Sequence, residues 1–426
     1  MLNFIAWLNI NISGQSTKNL EPLELFSWQE AAIFALPHSD RDFNTEKLAQ
    51  NYLQSLARQG INPDQQGIWV QSDWTELANN QGTVAIPAAS LTKIATTLTA
   101  LGHWGADHQF TTKIYATGRI KDGIIEGDLI IEGSGDPFFV WEESIALGNA
   151  LNQLGIRQVK GNLLVTDKFY MNYQDDAQVA GKLLKEGLDH TLWEEEVTQQ
   201  YLHLTPGTLQ SQLAISGEIK LSNQIPPASK LLLRHQSLPL TEILKQMNIY
   251  SNNQMAQMLA DLAGGAKEVE RYASETAHFP QAEIQLINGS GLGEENRISP
   301  RAICQMLIAI DSLLAKHSLS ATDLFPTVGR DLVGTVKERG IPTGTTVKTG
   351  TLDHVSALAG IIPTSDRGQV YFAIINHDSQ VEYLRQQQDQ FLNGLDQNWQ
   401  LRPDNFKISQ QVNWHLGDPN RNLKNN

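Results

Sequence analysis

Between residues 105 and 245 the chain changes texture, and that change sets its architecture. Short apolar runs broken by turn residues (FTTKIYATG, IKDGIIEG, DLIIEGSGDP, VKGNLLVTD, LAISGEIKLS) read as strands and hairpins, with Lys121-Asp122-Gly123 a tight turn. Upstream, residues 42–59 place Leu48, Tyr52, Leu53 and Leu56 at helical spacing, GIWVQS (67–72) reads as a strand, and residues 87–102 read as a helix entered at Pro87 and left at Gly102. Downstream of about 240, LTEILKQMN, NNQMAQMLADLAGG and PRAICQMLIAIDSLLAKH read as helices, and VSALAGIIP and QVYFAIINH as strands. The order mixed, β-rich, helical, β predicts one domain interrupted by another. Residues 21–104 plus 246–426 form an α+β unit, and residues 105–245 an inserted β-rich domain.

The remaining composition narrows the function. Thirty-two Lys and Arg against 46 Asp and Glu leave a net charge of −14, which repels polyanions and argues against nucleic-acid binding. No apolar run reaches the roughly eighteen residues of a membrane span. The lone Cys304, in AICQMLIAI, reads as a small buried hydrophobe. His103 and His108 are off a single helical face, so no metal or other cofactor is expected. Glu194, Glu195 and Glu196 read as a solvated face. The start, MLNFIAWLNINISG, has a short apolar run diluted by asparagine and no positive residues before it, so residues 1–20 read as a degenerate or truncated leader.

Three short motifs carry chemistry. In Ser90-Leu91-Thr92-Lys93, residues three apart on a helix share a face, so the Lys93 amine reaches the Ser90 hydroxyl. Serine attacks a carbonyl only once something takes its proton, and lysine does so only when burial or a helix's positive end pushes its pKa toward neutrality. Taken alone, the same letters describe a helix start with a capping serine and a solvated lysine. Ser251-Asn252-Asn253, between two helical stretches, likewise reads as a helix cap. In Lys348-Thr349-Gly350-Thr351, a strand would put Lys348 and Gly350 on one face and the threonines on the other. The glycine admits a close neighbour, and a cation beside hydroxyls makes a carboxylate receptor.

In the order S-x-x-K, S-x-N, K-T-G these are the motifs of penicillin-recognising serine acyl enzymes. With the flanks IPAASLTKIATTLTALG, IEGSGDPFF, NGSGLGEENRISPRAICQML and VKTGTLDHVSALAG, the chain resembles the D-alanyl-D-alanine carboxypeptidase/endopeptidase family, the low-molecular-mass class C penicillin-binding proteins, from about Gly67 to His377. The resemblance implies a serine transpeptidase-like domain, an antiparallel sheet flanked by helices, around the insertion. It implies Ser90 as nucleophile and Lys93 as its base, Ser251 as proton relay, and Asn253 as the group that orients Lys93 and binds the substrate amide. Lys348, assisted by Thr349, Gly350 and Thr351, would hold the terminal carboxylate, and the backbone N–H groups of Ser90 and Thr351 would form the oxyanion hole. The implied partners are peptidoglycan stem peptides ending in D-Ala-D-Ala, and β-lactams that acylate Ser90. The implied location is periplasmic or otherwise extracytoplasmic.

Two features depart from the family pattern. Lys93 and Ser251 are 251 − 93 = 158 positions apart, which implies that one inserted module is kept and another is missing or reduced. Asp167 and Arg297 stand near places where the family binds the peptide side chain, though a hairpin-end aspartate and a loop arginine fit the letters too. After GSGL the chain has Gly293-Glu294 where a Ser-Arg pair is common. His354, close to the K-T-G motif, reads as a surface or packing residue. The same fold would also serve a β-lactamase or esterase, or a non-catalytic wall-binding protein.

Overall fold

The computed structural model describes residues 42–72, 75–365, 367–399 and 414–425. The leader-like residues 1–20, and the parts of the expected α+β unit at 21–41 and 400–413, lie outside the described residues.

Helix α1 (Phe43–Arg58) is capped by the Asp42 carboxylate, which accepts from Asn44 N and Thr45 N, and it buries Tyr52 and Leu56. Strands β1 (Gln66–Ser72), β2 (Glu76–Asn80) and β3 (Ile86–Pro87) lead to α2 (Thr92–Trp104). This helix starts later than its sequence suggests. Pro87 lies in β3 opposite Arg297, a 3-10 turn (Ala89–Leu91) intervenes, and the C-cap is Gly105 at φ 84°. Gly102 is inside α2, where a Cβ would fall 1.7 Å from the Tyr272 hydroxyl, so packing rather than helix termination requires it.

The 105–245 segment contributes β4 (Thr111–Ala116), β5 (Leu129–Glu132), α3 (Trp141–Gln153), β6 (Leu163–Val165), α4 (Ala177–Leu188), β7 (Ile219–Leu221) and β8 (Lys230–Gln236). In its main sheet β5, β6 and β7 run parallel to one another, while β4 pairs antiparallel with both β5 and β8. Parallel neighbours need a crossover, so this strand-rich stretch also carries helices, α3 between β5 and β6 and α4 between β6 and β7. The turn at Lys121-Asp122-Gly123 forms as expected, joining two short antiparallel strands. Asp122 at φ 50° and Gly123 at φ 79° supply the two left-handed residues of a type I′ hairpin.

Helices α5 (Leu240–Tyr250) and α6 (Asn253–Leu262), strand β9 (Arg297–Ile298) and helix α7 (Pro300–Leu314) follow. Strands β10 (Thr346–Leu352), β11 (Val355–Pro363) and β12 (Gln369–His377), helix α8 (Val381–Asn398) and strand β13 (Asn422–Lys424) complete the described chain. A five-stranded sheet in the order β10-β11-β12-β1-β2 is antiparallel throughout. Both its faces are covered, so its central strands are apolar almost without interruption. Ala357, Ala359, Tyr371, Ala373 and Ile375 share a core with α2, α5, α6 and α7, and that core includes the buried Cys304. Leu358, Ile362, Val370, Phe372 and Ile374 alternate with them and share a second core with α1 and α8. A third core gathers residues of the 105–245 segment. The last strand, β13, joins that segment's sheet, pairing Leu233 with Lys424 and His235 with Asn422.

Candidate active site

Ser90 occupies the 3-10 turn between β3 and α2, after Ala89, which is held at φ 48°. A left-handed alanine is strained, and here the neighbours enforce it. Gly350 of β10 presses on the turn from one side: a Cβ there would lie 3.0 Å from Ser90 N and 3.1 Å from Ala88 O. Gly291 presses from another, where a Cβ would meet Ala89 O at 1.9 Å.

Lys93, in the first turn of α2, is fully buried. Its Nζ donates to Ser90 Oγ (3.0 Å), Asn253 Oδ1 (2.7 Å) and the Ser290 carbonyl (2.7 Å). Burial lowers its pKa to about 7. The amine therefore has a neutral, proton-accepting form near neutral pH while it touches the hydroxyl.

The three residues Ser251, Asn252 and Asn253 divide the labour at the α5–α6 junction. Asn252 is the cap the sequence suggests, its side chain accepting from Met255 N (2.9 Å). Ser251 adopts the left-handed region (φ 53°, ψ 39°), a bend that brings its hydroxyl to Lys348 Nζ (2.9 Å) while Asn253 meets Lys93.

Lys348 lies in β10, the edge strand of the five-stranded sheet, yet it is only 1% exposed. Besides Ser251 it donates to the Thr349 carbonyl (2.7 Å). Burial first, and the nearby Lys93 charge second, hold its pKa well below the ordinary lysine value. Among the described residues neither buried lysine is paired with a carboxylate. Thr349 donates to Thr335 Oγ1 (2.8 Å), whereas the exposed Thr351 accepts from Arg385 Nη2 of α8 (2.7 Å).

The structure thus brings Ser90, Lys93, Ser251, Asn253, Lys348 and Gly350 together. Asp167 is exposed just past β6 and Arg297 is exposed in β9; neither bonds to this cluster among the described residues. His354 is 56% exposed and sits 3.4 Å from Glu294, which also accepts from His377 Nε2 (3.1 Å). Glu294 therefore ties the loop that carries Ser290 to the ends of β10 and β12. Sequence reasoning missed the Ser290 carbonyl, Thr335 and Arg385. The flank NGSGLG signalled the first; nothing local marked the other two.

Comparison with known proteins identifies the family and the fold. The chain matches the D-Ala-D-Ala carboxypeptidase 3 (S13) family over residues 48–180 and 173–397. It is 22% identical over 394 residues to D-alanyl-D-alanine carboxypeptidase DacB of Haemophilus influenzae, covering 69% of this chain and 80% of that one. A D-alanyl-D-alanine carboxypeptidase of Actinomadura sp. is 23% identical over 408 residues, covering 71% and 75%. Among solved structures, a predatory peptidoglycan endopeptidase of Bdellovibrio bacteriovorus superposes with a TM-score of 0.71 at 22% identity, over 84% of this chain and 98% of that one. Penicillin-binding protein 4 of Haemophilus influenzae superposes at 0.60 with 18% identity, over 81% and 98%.

Proposed function

The chain belongs to the D-Ala-D-Ala carboxypeptidase 3 (S13) family of serine peptidases, and from that membership we propose that it is a carboxypeptidase that hydrolyses peptidoglycan stem peptides ending in D-Ala-D-Ala through a Ser90 acyl-enzyme, a site that would also serve endopeptidase cleavage of cross-links. One observation carries the reading: a fully buried lysine, with its pKa lowered to about 7, lies 3.0 Å from the Ser90 hydroxyl. Ser90 Oγ attacks the carbonyl between the two D-alanines as its proton passes to Lys93 Nζ. The backbone N–H groups of Ser90 and Thr351 receive the oxyanion, and the close approach of β10 to the Ser90 turn that Gly350 permits, where an added Cβ would lie 3.0 Å from Ser90 N, supports that pairing. Collapse expels the D-alanine amine, which leaves with the proton that Lys93 took from Ser90, relayed by way of Ser251 Oγ, the hydroxyl that Lys348 holds at 2.9 Å. Asn253 holds Lys93 in place. Water then cleaves the ester, Lys93 taking its proton and returning it to Ser90 Oγ.

A β-lactam enters the same first half-reaction and stalls there. In support, the Bdellovibrio endopeptidase is also known acylated by penicillin G. Peptidoglycan lies outside the cytoplasmic membrane, so the protein acts there, and no helix of the described residues is long and apolar enough to cross a membrane. Gel labelling with fluorescent penicillin tests the reading. Stoichiometric label that vanishes in Ser90→Ala supports it. A folded parent that takes no label overturns it in favour of a non-catalytic wall-binding protein.

A further inference from the structure

The carboxylate receptor assigned to Lys348 from sequence meets an obstacle in the structure. Lys348 is 1% exposed, and its ammonium is committed to Ser251 Oγ and the Thr349 carbonyl. A carboxylate of a soluble peptide cannot reach it without first being stripped of water. The exposed end of the same strand is different. Thr351 is open to solvent, and its hydroxyl accepts a 2.7 Å hydrogen bond from Arg385 Nη2, an arginine that is itself 33% exposed. The other arm of that guanidinium meets Glu382 Oε1 at 2.5 Å, and Glu382 is 77% exposed. The neighbouring Arg339 offers no rival: it is 9% exposed and spent on Asp389 and Gln388.

Resting on the acyl-enzyme reading above, we propose that Arg385, together with the Thr351 hydroxyl, recognises the C-terminal carboxylate of the substrate, and so sets the preference for a free C-terminal acid over a blocked one. A guanidinium presents a planar fork of donors that matches a carboxylate, and here it stands one side chain away from the strand whose Gly350 closes on Ser90. The adjacent Glu382 is a resident carboxylate already bound to the same guanidinium, so substrate binding exchanges one carboxylate for another. Arg385 comes from α8, far along the chain from all three motifs, which is why nothing in them announces it.

The test uses the whole protein and two peptides, one ending in D-Ala-D-Ala as the free acid and the other as its C-terminal amide. The parent should prefer the acid. In Arg385→Ala, kcat/KM for the acid should fall about ten- to a hundredfold, mostly through KM, with the amide little changed, so the acid/amide ratio collapses. Arg385→Lys should fall between the two. Glu382→Gln, which removes the competing carboxylate, should lower KM for the acid alone. Penicillin labelling of Ser90 at long incubation checks that each variant is folded. An unchanged acid/amide ratio in labelled Arg385→Ala overturns the proposal, as does a parent that hydrolyses both peptides equally well. A parent that neither labels nor hydrolyses would instead break the acyl-enzyme reading, and this inference would fall with it.

Discussion

Two buried clusters of charged side chains are built in opposite ways. In the cluster around Ser90, Lys93 and Lys348 are both buried, with hydroxyls, an amide and carbonyls as partners and no carboxylate joined to either among the described residues. In the 105–245 segment, the buried Glu143 accepts a hydrogen bond from Arg421 just before β13, and the buried His235 lies 3.6 Å from the same carboxylate, its other ring nitrogen 3.0 Å from Asn422 Oδ1. A buried charge with a partner of opposite sign fastens two pieces of chain together, as Glu143 and Arg421 do. An unpaired one is driven toward its neutral form. The first arrangement serves attachment of the C-terminal strand; the second serves reactivity.

That contrast can be broken at several points. Lys93→Ala should slow acylation of Ser90 by fluorescent penicillin about 10²- to 10⁴-fold while leaving the thermal transition in place, because it removes the base and also relieves a buried cation. Equal rates in parent and variant would show that Lys93 is not the base. Arg421→Ala should do the reverse, costing about 3–5 kcal/mol in denaturant unfolding by stranding Glu143, with Ser90 still labelled where the protein is folded. Loss of labelling without loss of stability would contradict the division drawn here.

Gly350→Ala probes the close approach of β10 to the Ser90 turn. Its new methyl meets backbone atoms of Ser90 and Ala88, so acylation should slow about ten- to a hundredfold, with roughly 1–3 kcal/mol lost in unfolding. The mildest probe is pH. Lys93 must be neutral to accept the Ser90 proton, so the acylation rate should rise with pH through about 7 and level off above it. The same shift has a stability sign. A lysine depressed in the folded state binds fewer protons there than in the unfolded chain, so stability rises with pH between about 7 and the ordinary lysine value. A rate profile flat from pH 6 to 9, a range of about three decades in proton activity, would remove Lys93 from the proton transfer.

Much of the site was legible because its chemistry is written in short segments. Ser90 and Lys93 are three residues apart, Ser251 and Asn253 are neighbours around a capping Asn252, and Lys348 to Thr351 is one strand. Each has a local alternative, a cap or an edge strand, and the order of the three together outweighs those alternatives. Gly102 misled the reading of α2 because a glycine required by Tyr272 looks, in sequence, like one that ends a helix. The helices of the 105–245 segment were masked by the turn residues around them, and it is the parallel pairing of β5, β6 and β7 that demands a crossover.

The sequence alone was enough for the three motifs, the family they belong to and the apolar strands beneath them, since all of these rest on residue type and near-neighbour spacing. Only the tertiary structure decided that Lys348 is too buried to meet solvent, that the Ser290 carbonyl completes the Lys93 shell, that Arg385 stands beside Thr351, and that β13 returns to the sheet of the 105–245 segment. Each of those depends on groups brought together from distant parts of the chain. Burial and approach of that kind are properties of packing, and no local pattern of letters carries them.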